Sequence, residues 1–216
     1  YYADSSPSGI GWIKNNGSEN FVPQAVGTQV PSIDALELTD LDQDGHKDLL
    51  YASKSLSTVG WMANNGSDNF LPAEALSGGL NSVDQIQVAD IDQDGRPDVV
   101  YKTPGAIGWI KNQGSENFIP SNIANLDGPG SEAFVADMNQ DGRPDVVYKT
   151  PGVVGWLKNQ GSDGFIPQVI VDSNAPIPAF QAAEPVPMQS SVPMDFDKDG
   201  DIDLIDANSD TGKIHV

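Results

Sequence analysis

The sequence predicts an all-β fold, a β-propeller of four-stranded antiparallel blades with about four repeats in this chain. Three observations predict it. Two motifs alternate along the 216 residues with a period of about 48. Each period carries four short strand signals. The chain holds 22 Gly and 16 Pro and no sustained 3.6-residue apolar pattern, so turns outnumber any helical signal. A helical solenoid of similar period fails on that last point. It fails also because β-branched and aromatic residues fill the apolar positions.

The period can be read from the letters. "GWIKNNGSENF" at Gly11 returns as "GWMANNGSDNF" at Gly60, "GWIKNQGSENF" at Gly108 and "GWLKNQGSDGF" at Gly155. Trp12, Trp61, Trp109 and Trp156 are therefore spaced by 49, 48 and 47 residues. Between them run acidic stretches: "DLDQDGHKDLLY" from Asp40, "DIDQDGRPDVVY" from Asp90, "DMNQDGRPDVVY" from Asp137 and "DFDKDGDIDLID" from Asp195.

Within a period the first strand alternates, as in "ALELTD" and "IQVAD". The acidic loop follows, then a second strand, "DLLY" or "DVVY". A short Gly- or Pro-containing link leads to the third, "IGWIKN". The "NNGS" or "NQGS" stretch reads as a hairpin turn, because Asn and Gly take positive φ at low cost. The fourth strand, near "NFVPQAV", carries Pro23, Pro72, Pro120 or Pro167. A proline removes an amide donor and is tolerated on an edge, and the outermost strand of a blade is an edge. Residues 1–216 thus read as one repeat domain. A Pro-rich insertion at 172–194 stretches the last interval, from Asp137 to Asp195, to 58 residues. It reads either as an extended surface loop or as a rim contact for a partner.

"YADSSPSGIGW" (residues 2–12) aligns without a gap on "DANSDTGKIHV" (206–216). Two closures follow. In one, both termini seal a four-bladed ring. In the other, the chain is an arc of a larger wheel, completed by further chain, by self-association or by a partner chain.

The net charge of −20 excludes nucleic acid as the expected partner, since phosphates require Lys and Arg. It also disfavours anionic membrane surfaces. No run of about 18 apolar residues is present, so no membrane insertion is expected. Cysteine is absent, which removes disulfides and thiolate metal sites. The chain as given shows no signal peptide, and its start at Tyr1 rather than Met points to processing or trimming.

The acids cluster. Positions 1, 3, 5 and 9 of the loops are Asp40, Asp42, Asp44 and Asp48; Asp90, Asp92, Asp94 and Asp98; Asp137, Asn139, Asp141 and Asp145; and Asp195, Asp197, Asp199 and Asp203. Position 6 is always Gly, which permits a sharp turn. Hard oxygen ligands at alternate positions of a flexible loop are what calcium prefers. Position 7 would add its backbone carbonyl, which leaves its side chain free to vary: His46, Arg96, Arg143, Asp201. An EF-hand begins alike but needs Glu at position 12 and flanking helices, and position 12 here is Tyr51, Tyr101, Tyr148 or Asp206. Asp at position 9 must then close the site. Ordinary Asx-rich turns are the alternative, and recurrence in one phase of a repeat favours the metal.

The pattern D-x-D-x-D-G-x-x-D followed by two apolar residues, once per blade, resembles FG-GAP and VCBS-type repeats, as in integrin α-subunit propellers and many secreted bacterial proteins. "GW-x-x-N-x-G-S-x-x-F" resembles the third strand and turn of the VCBS type. The resemblance implies a propeller with calcium in the loop between the first two strands of each blade, about four Ca2+ ions in all, held by the loop residues named above. Asn139 departs from the pattern and should weaken the third site slightly. Such wheels usually have more than four blades.

Other features carry less. The four Trp residues, followed two positions on by Lys14, Ala63, Lys111 and Lys158, could stack sugars, but a repeated aromatic on an inner strand more often packs between blades. The repeated Tyr residues read the same way. Asn16 and Asn65 lie in N-G-S sequons, which turn chemistry explains. His46 and His215 do not recur, and no nucleophile elbow or phosphate loop is present. The expectation is therefore a non-catalytic, secreted or cell-surface, calcium-binding propeller. It would bind carbohydrate (lectin-like) or an extracellular protein ligand in adhesion. The alternatives are the propeller domain of a polysaccharide-acting enzyme and a structural subunit of a surface assembly.

Overall fold

The computed structural model of the chain describes residues 2–4, 9–26, 30–66, 70–126, 132–161, 164–172, 190–194, 203–208 and 213–215. Side chains are described between 10 and 170, Ala25 apart. The described residues form eighteen strands and no helix, hence none long and apolar enough to cross a membrane.

The strands make five antiparallel up-and-down sheets in chain order. The first is β1 (Tyr2–Asp4), β2 (Gly9–Asn15) and β3 (Phe21–Ala25). The second is β4 (Ala35–Thr39), β5 (Asp48–Ser53), β6 (Thr58–Met62) and β7 (Glu74–Gly78). The third is β8 (Gln85–Ala89), β9 (Asp98–Thr103), β10 (Ala106–Asn112) and β11 (Phe118–Asn125). The fourth is β12 (Glu132–Ala136), β13 (Asp145–Thr150), β14 (Val153–Asn159) and β15 (Phe165–Asp172). The fifth is β16 (Ser190–Met194), β17 (Asp203–Asn208) and β18 (Lys213–His215). The three middle sheets are four-stranded blades of the expected kind, so the fold is a β-propeller repeat fold. Two compact units divide the chain: Tyr1–Ala89 with Gly95–Ala124, and Asp90–Asp94 with Asn125–Val216.

In the first unit the second strand of a blade is apolar on both faces. Leu49 and Tyr51 pack with Met62, Ile10, Val26 and Val30. Leu50 and Ala52 point the other way and pack with Val59, Trp61, Ile86, Val99, Tyr101 and Ile110. Successive side chains of a strand alternate faces, so a strand buried on both faces reads as a continuous apolar run rather than an alternation. Trp61 meets Phe118 edge-on, ring centroids 5.9 Å apart. Trp61 and Trp109 are buried, which settles packing as their role; Trp12 and Trp156 are half-buried. In the second unit Val146, Val147 and Leu157 are the buried equivalents on β13 and β14.

The glycine of each G-W pair has its own reason. Tyr51 pairs with Gly60, Tyr101 with Gly108 and Tyr148 with Gly155. A Cβ on Gly60 would fall 2.6 Å from Tyr51 Cζ and 2.7 Å from the Glu74 carbonyl oxygen, and one on Gly155 would fall 2.6 Å from Tyr148 Cζ. The tyrosine ring lies across the bare backbone, and any side chain there would displace it.

Pro23, Pro120 and Pro167 lie in the edge strands β3, β11 and β15, as expected; in the second blade the edge strand begins two residues after Pro72. The proposed insertion needs correcting at its end. Ser190–Met194 is β16, the first strand of the fifth sheet, with Met194 paired to Asp203 as Thr39 is paired to Asp48. The short "SSVPM" run keeps its ladder because Pro193 sits on a strand paired on one side. Residues 173–189 lie outside the described residues.

Candidate metal centres

Each acidic loop joins the first strand of a blade to the second. Its backbone turns sharply: Gln43, Gln93 and Gln140 at position 4 have φ of 64°, 60° and 55°, and Gly45, Gly95 and Gly142 have 93°, 86° and 84°. No atom lies within 4 Å of a Cβ built on Gly45, so its conformation, not space, requires glycine.

The Asp side chains hold the loop's own amides. Asp40 Oδ2 accepts from Gly45 N at 3.0 Å, Asp42 Oδ1 from Asp44 N at 3.1 Å and Asp44 Oδ1 from His46 N at 2.8 Å. The third loop repeats this. Asp137 Oδ2 accepts from Gly142 N at 2.8 Å, Asn139 Oδ1 from Asp141 N at 3.1 Å and Asp141 Oδ1 from Arg143 N at 3.0 Å. These are nested Asx turns, so part of the carboxylate crowding serves the backbone.

Position 9 differs from the rest. Asp48, Asp98 and Asp145 are fully buried. Asp48 Oδ2 accepts from Leu41 N and Oδ1 from Asn64 N, both at 2.8 Å. Asp145 does the same with Met138 N (3.0 Å) and Asn159 N (2.7 Å), and Asp98 accepts from Asn112 N at 2.8 Å. The side chain clamps the loop entrance to the end of the third strand. Burial pushes the Asp48 and Asp145 carboxyls above their ordinary range, and the amides that donate to them pull partly back.

The strand-end asparagine is a hub that sequence reasoning missed. Asn64, Asn112 and Asn159 each accept from the glycine two residues on, closing an Asx turn. Asn112 Nδ2 donates to Leu41 O (2.7 Å) in the preceding acidic loop and to Pro97 O (3.1 Å) in its own. Asn159 Nδ2 donates likewise to Ile91 O (2.7 Å) and Pro144 O (3.0 Å). The available signal was the Asn kept three residues after every Trp, while its neighbour varies between Asn and Gln. The position-4 glutamines add a second tie between successive loops: Gln43 Nε2 donates to Gly95 O and Gln93 Nε2 to Gly142 O, both at 2.6 Å.

Among the described residues, carboxylate oxygens of Asp40, Asp42 and Asp48 lie within 4.8 Å of one another, and so do those of Asp90, Asp92 and Asp98. Positions 1, 3 and 9 therefore converge in two loops, whereas Asp44 and Asp94 at position 5 lie outside those triplets. Asp40 Oδ1 is buried with no hydrogen-bond partner. A buried, unsatisfied carboxylate oxygen among acids fits a cation and fits little else. The position-7 side chains turn onto the neighbouring hairpin: His46 against Gly66, Arg96 against Gly114, Arg143 against Gly161. Arg96 Nε also donates to Asn112 O at 2.8 Å. In the third loop Asn139 takes the place of the second acid. Asp195, Asp197, Asp199 and Asp201, and the side chain of Asp203, lie outside the described residues. An all-oxygen donor set of this kind suits a hard divalent cation, calcium above magnesium.

A family described as FG-GAP-like repeat matches residues 40–101 and 93–148, together just over half of the chain. No curated protein matches the chain in sequence. Among solved structures, an Agrocybe aegerita lectin described as recognising non-reducing terminal N-acetylglucosamine aligns over 97% of this chain and 74% of its own, with 18% identity and a TM-score of 0.51. The Tc holotoxin pore of Photorhabdus luminescens aligns over 100% of this chain and 11% of its own, with 16% identity and a TM-score of 0.55. NanB with Optactamide aligns over 96% and 34%, with 14% identity and a TM-score of 0.55. At these identities the likeness is one of fold. This chain spans about a tenth of the toxin chain and a third of NanB.

Proposed function

The chain belongs to the FG-GAP-like repeat family, and from that premise we propose that it is a calcium-stabilised, non-catalytic binding propeller that works outside the cell and recognises carbohydrate. The observation that carries the calcium reading is the convergence of three acids of one loop, repeated in a second loop, with Asp40 Oδ1 buried and unsatisfied. Bound calcium supplies two positive charges that offset the repulsion among those acids. The chain's own part is to preshape the loop through its Asx turns and the position-9 clamp, so that little ordering remains to be done on binding.

Extracellular modules of this ligand type bind calcium at about 0.1–1 mM, which suits an extracellular setting and a chain without cysteine. The carbohydrate reading draws on the lectin neighbour, whose fold the chain shares.

Thermal melts should rise strongly in millimolar calcium and fall after chelation. An unchanged melt after EDTA removes the calcium reading. A glycan array run with and without calcium should show calcium-dependent signal. Silence on a broad array removes the carbohydrate reading in favour of a protein ligand, and hydrolysis of a bound glycan removes the non-catalytic one.

A further inference from the structure

The acidic loops look alike in sequence but differ in the charges around them. In the first, Asp40, Asp42, Asp44 and Asp48 have no ion-pair partner among the described residues. Position 7 there is His46, and the residue two after the Trp is Ala63. In the second, the equivalent of Ala63 is Lys111, whose ammonium lies 5.4 Å from the centroid of the Trp109 ring. In the third, the equivalent is Lys158, whose Nζ lies 3.9 Å from Asp141 Oδ2. Arg143 NH1 lies 3.4 Å from the same oxygen. Asn139 Nδ2 donates to it at 3.0 Å. One oxygen of Asp141 is thus met by an amide donor and two cations, and the loop has lost one acid at position 3.

We propose that the third loop, Asp137–Asp145, carries its own counter-cations and is a weaker calcium site than the first loop, Asp40–Asp48, so that these two loops fill in steps. The inference rests on the calcium reading above and adds a ranking within it. Two physical terms act together. A divalent ion arriving at the third loop meets fewer carboxylates, and it must also compete with Lys158 and Arg143 for Asp141. Both cationic side chains are about a third exposed, so solvent screens them in part and the effect is moderate. The same cations offset part of the repulsion among the third loop's acids in the absence of calcium, whereas the first loop has no ion-pair partner among the described residues.

The test is calcium titration calorimetry on the whole chain at fixed ionic strength. Asp42→Ala, Asp92→Ala and Asp141→Ala assign each loop to the binding class it removes. Asp141→Ala is expected to abolish a weak class, and Asp42→Ala a class about tenfold tighter or more. Lys158→Met keeps the aliphatic stem and drops the charge, and should tighten the third-loop class about fivefold, leaving the first-loop class within twofold. Asn139→Asp should tighten the same class about threefold; it decides the matter alone if circular dichroism shows Lys158→Met misfolded. Equal affinity in the first and third loops, or no response to Lys158→Met and Asn139→Asp, overturns the ranking while leaving calcium binding intact. Absence of calcium binding in the unmodified chain overturns both.

Discussion

The first and third acidic loops share a scaffold and differ in charge. Both turn through a left-handed glutamine and glycine, both wrap their amides with Asx side chains, and both end in a buried aspartate clamped by two amides. Only the third sets cations of its own against its acids. The comparison separates two roles that the repeat motif merges. Loop shape is held by hydrogen bonds from aspartate to backbone. On the calcium reading, ion affinity would be set by the residues around that shape, which differ between these two loops.

The largest effect tests the shared part. Asp48→Ala and Asp145→Ala each leave one buried and one half-buried amide without an acceptor, and each should cost about 3–5 kcal/mol in guanidinium unfolding under chelation. The two losses should match within about 1 kcal/mol, because the clamp is the same in both loops. A loss at Asp48 that appears only in calcium would show that this residue acts through the ion, and the shared scaffold would no longer hold.

The next effect tests the difference. With calcium at about a hundredfold over Kd, one filled site adds about 2.7 kcal/mol. Asp42→Asn should remove most of one such increment from the calcium-induced rise in Tm. Asp141→Asn should remove under about 1 kcal/mol, since a weak site is far from saturation at the same concentration. Equal losses would place the two loops on a par.

How much of this was legible in the sequence depends on whether a residue acts along its own strand or across to another. The period, the blade strands, the edge prolines and the acidic loops were legible because each is a local pattern with its own physical signature. The family resemblance drawn from those letters is met by the match over residues 40–148. The burial of Asp48 was not legible: an acid spaced like a ligand gives no sign that it also accepts two backbone amides. Nor was the reach of Asn112 to Leu41, which joins residues 71 apart. Lys158 shows the limit most sharply. Its place two residues after Trp156 was visible, but that its ammonium faces Asp141 depends on side-chain direction across two strands. The end of the insertion was misjudged for a related reason: "SSVPM" lacks a strong strand pattern and is ordered by its pairing to β17.

A smaller effect asks whether neighbouring loops act singly. Gln43→Ala and Gln93→Ala each remove one 2.6 Å side-chain bond to the glycine carbonyl of the next loop. Each should cost about 1 kcal/mol in stability. Each should also speed amide exchange in the following loop more than in its own. Exchange confined to the mutated loop would show that the tie transmits nothing, and the loops could then be compared as independent sites.

The smallest effect is read one carboxyl at a time in the calcium-free chain. Asn139, then the Arg143 amide and the charges of Arg143 and Lys158, hold Asp141 below its ordinary value of 3.8. Burial holds Asp48 above the same value. The signs for stability are opposite. Asp141 contributes stability that is present above pH 3.8 and is lost as pH falls through its lower folded value. Asp48 is favoured in its protonated form, so its contribution is full below pH 3.8 and is lost as pH rises through its higher folded value. Carbon-detected NMR titration should therefore place the Asp141 midpoint below that of Asp48, and Lys158→Met should move Asp141 upward while leaving Asp48 in place. An Asp141 midpoint at or above that of Asp48 would mean that the cations beside the third loop do not act on it, and the distinction between the two loops would reduce to the single replacement at Asn139.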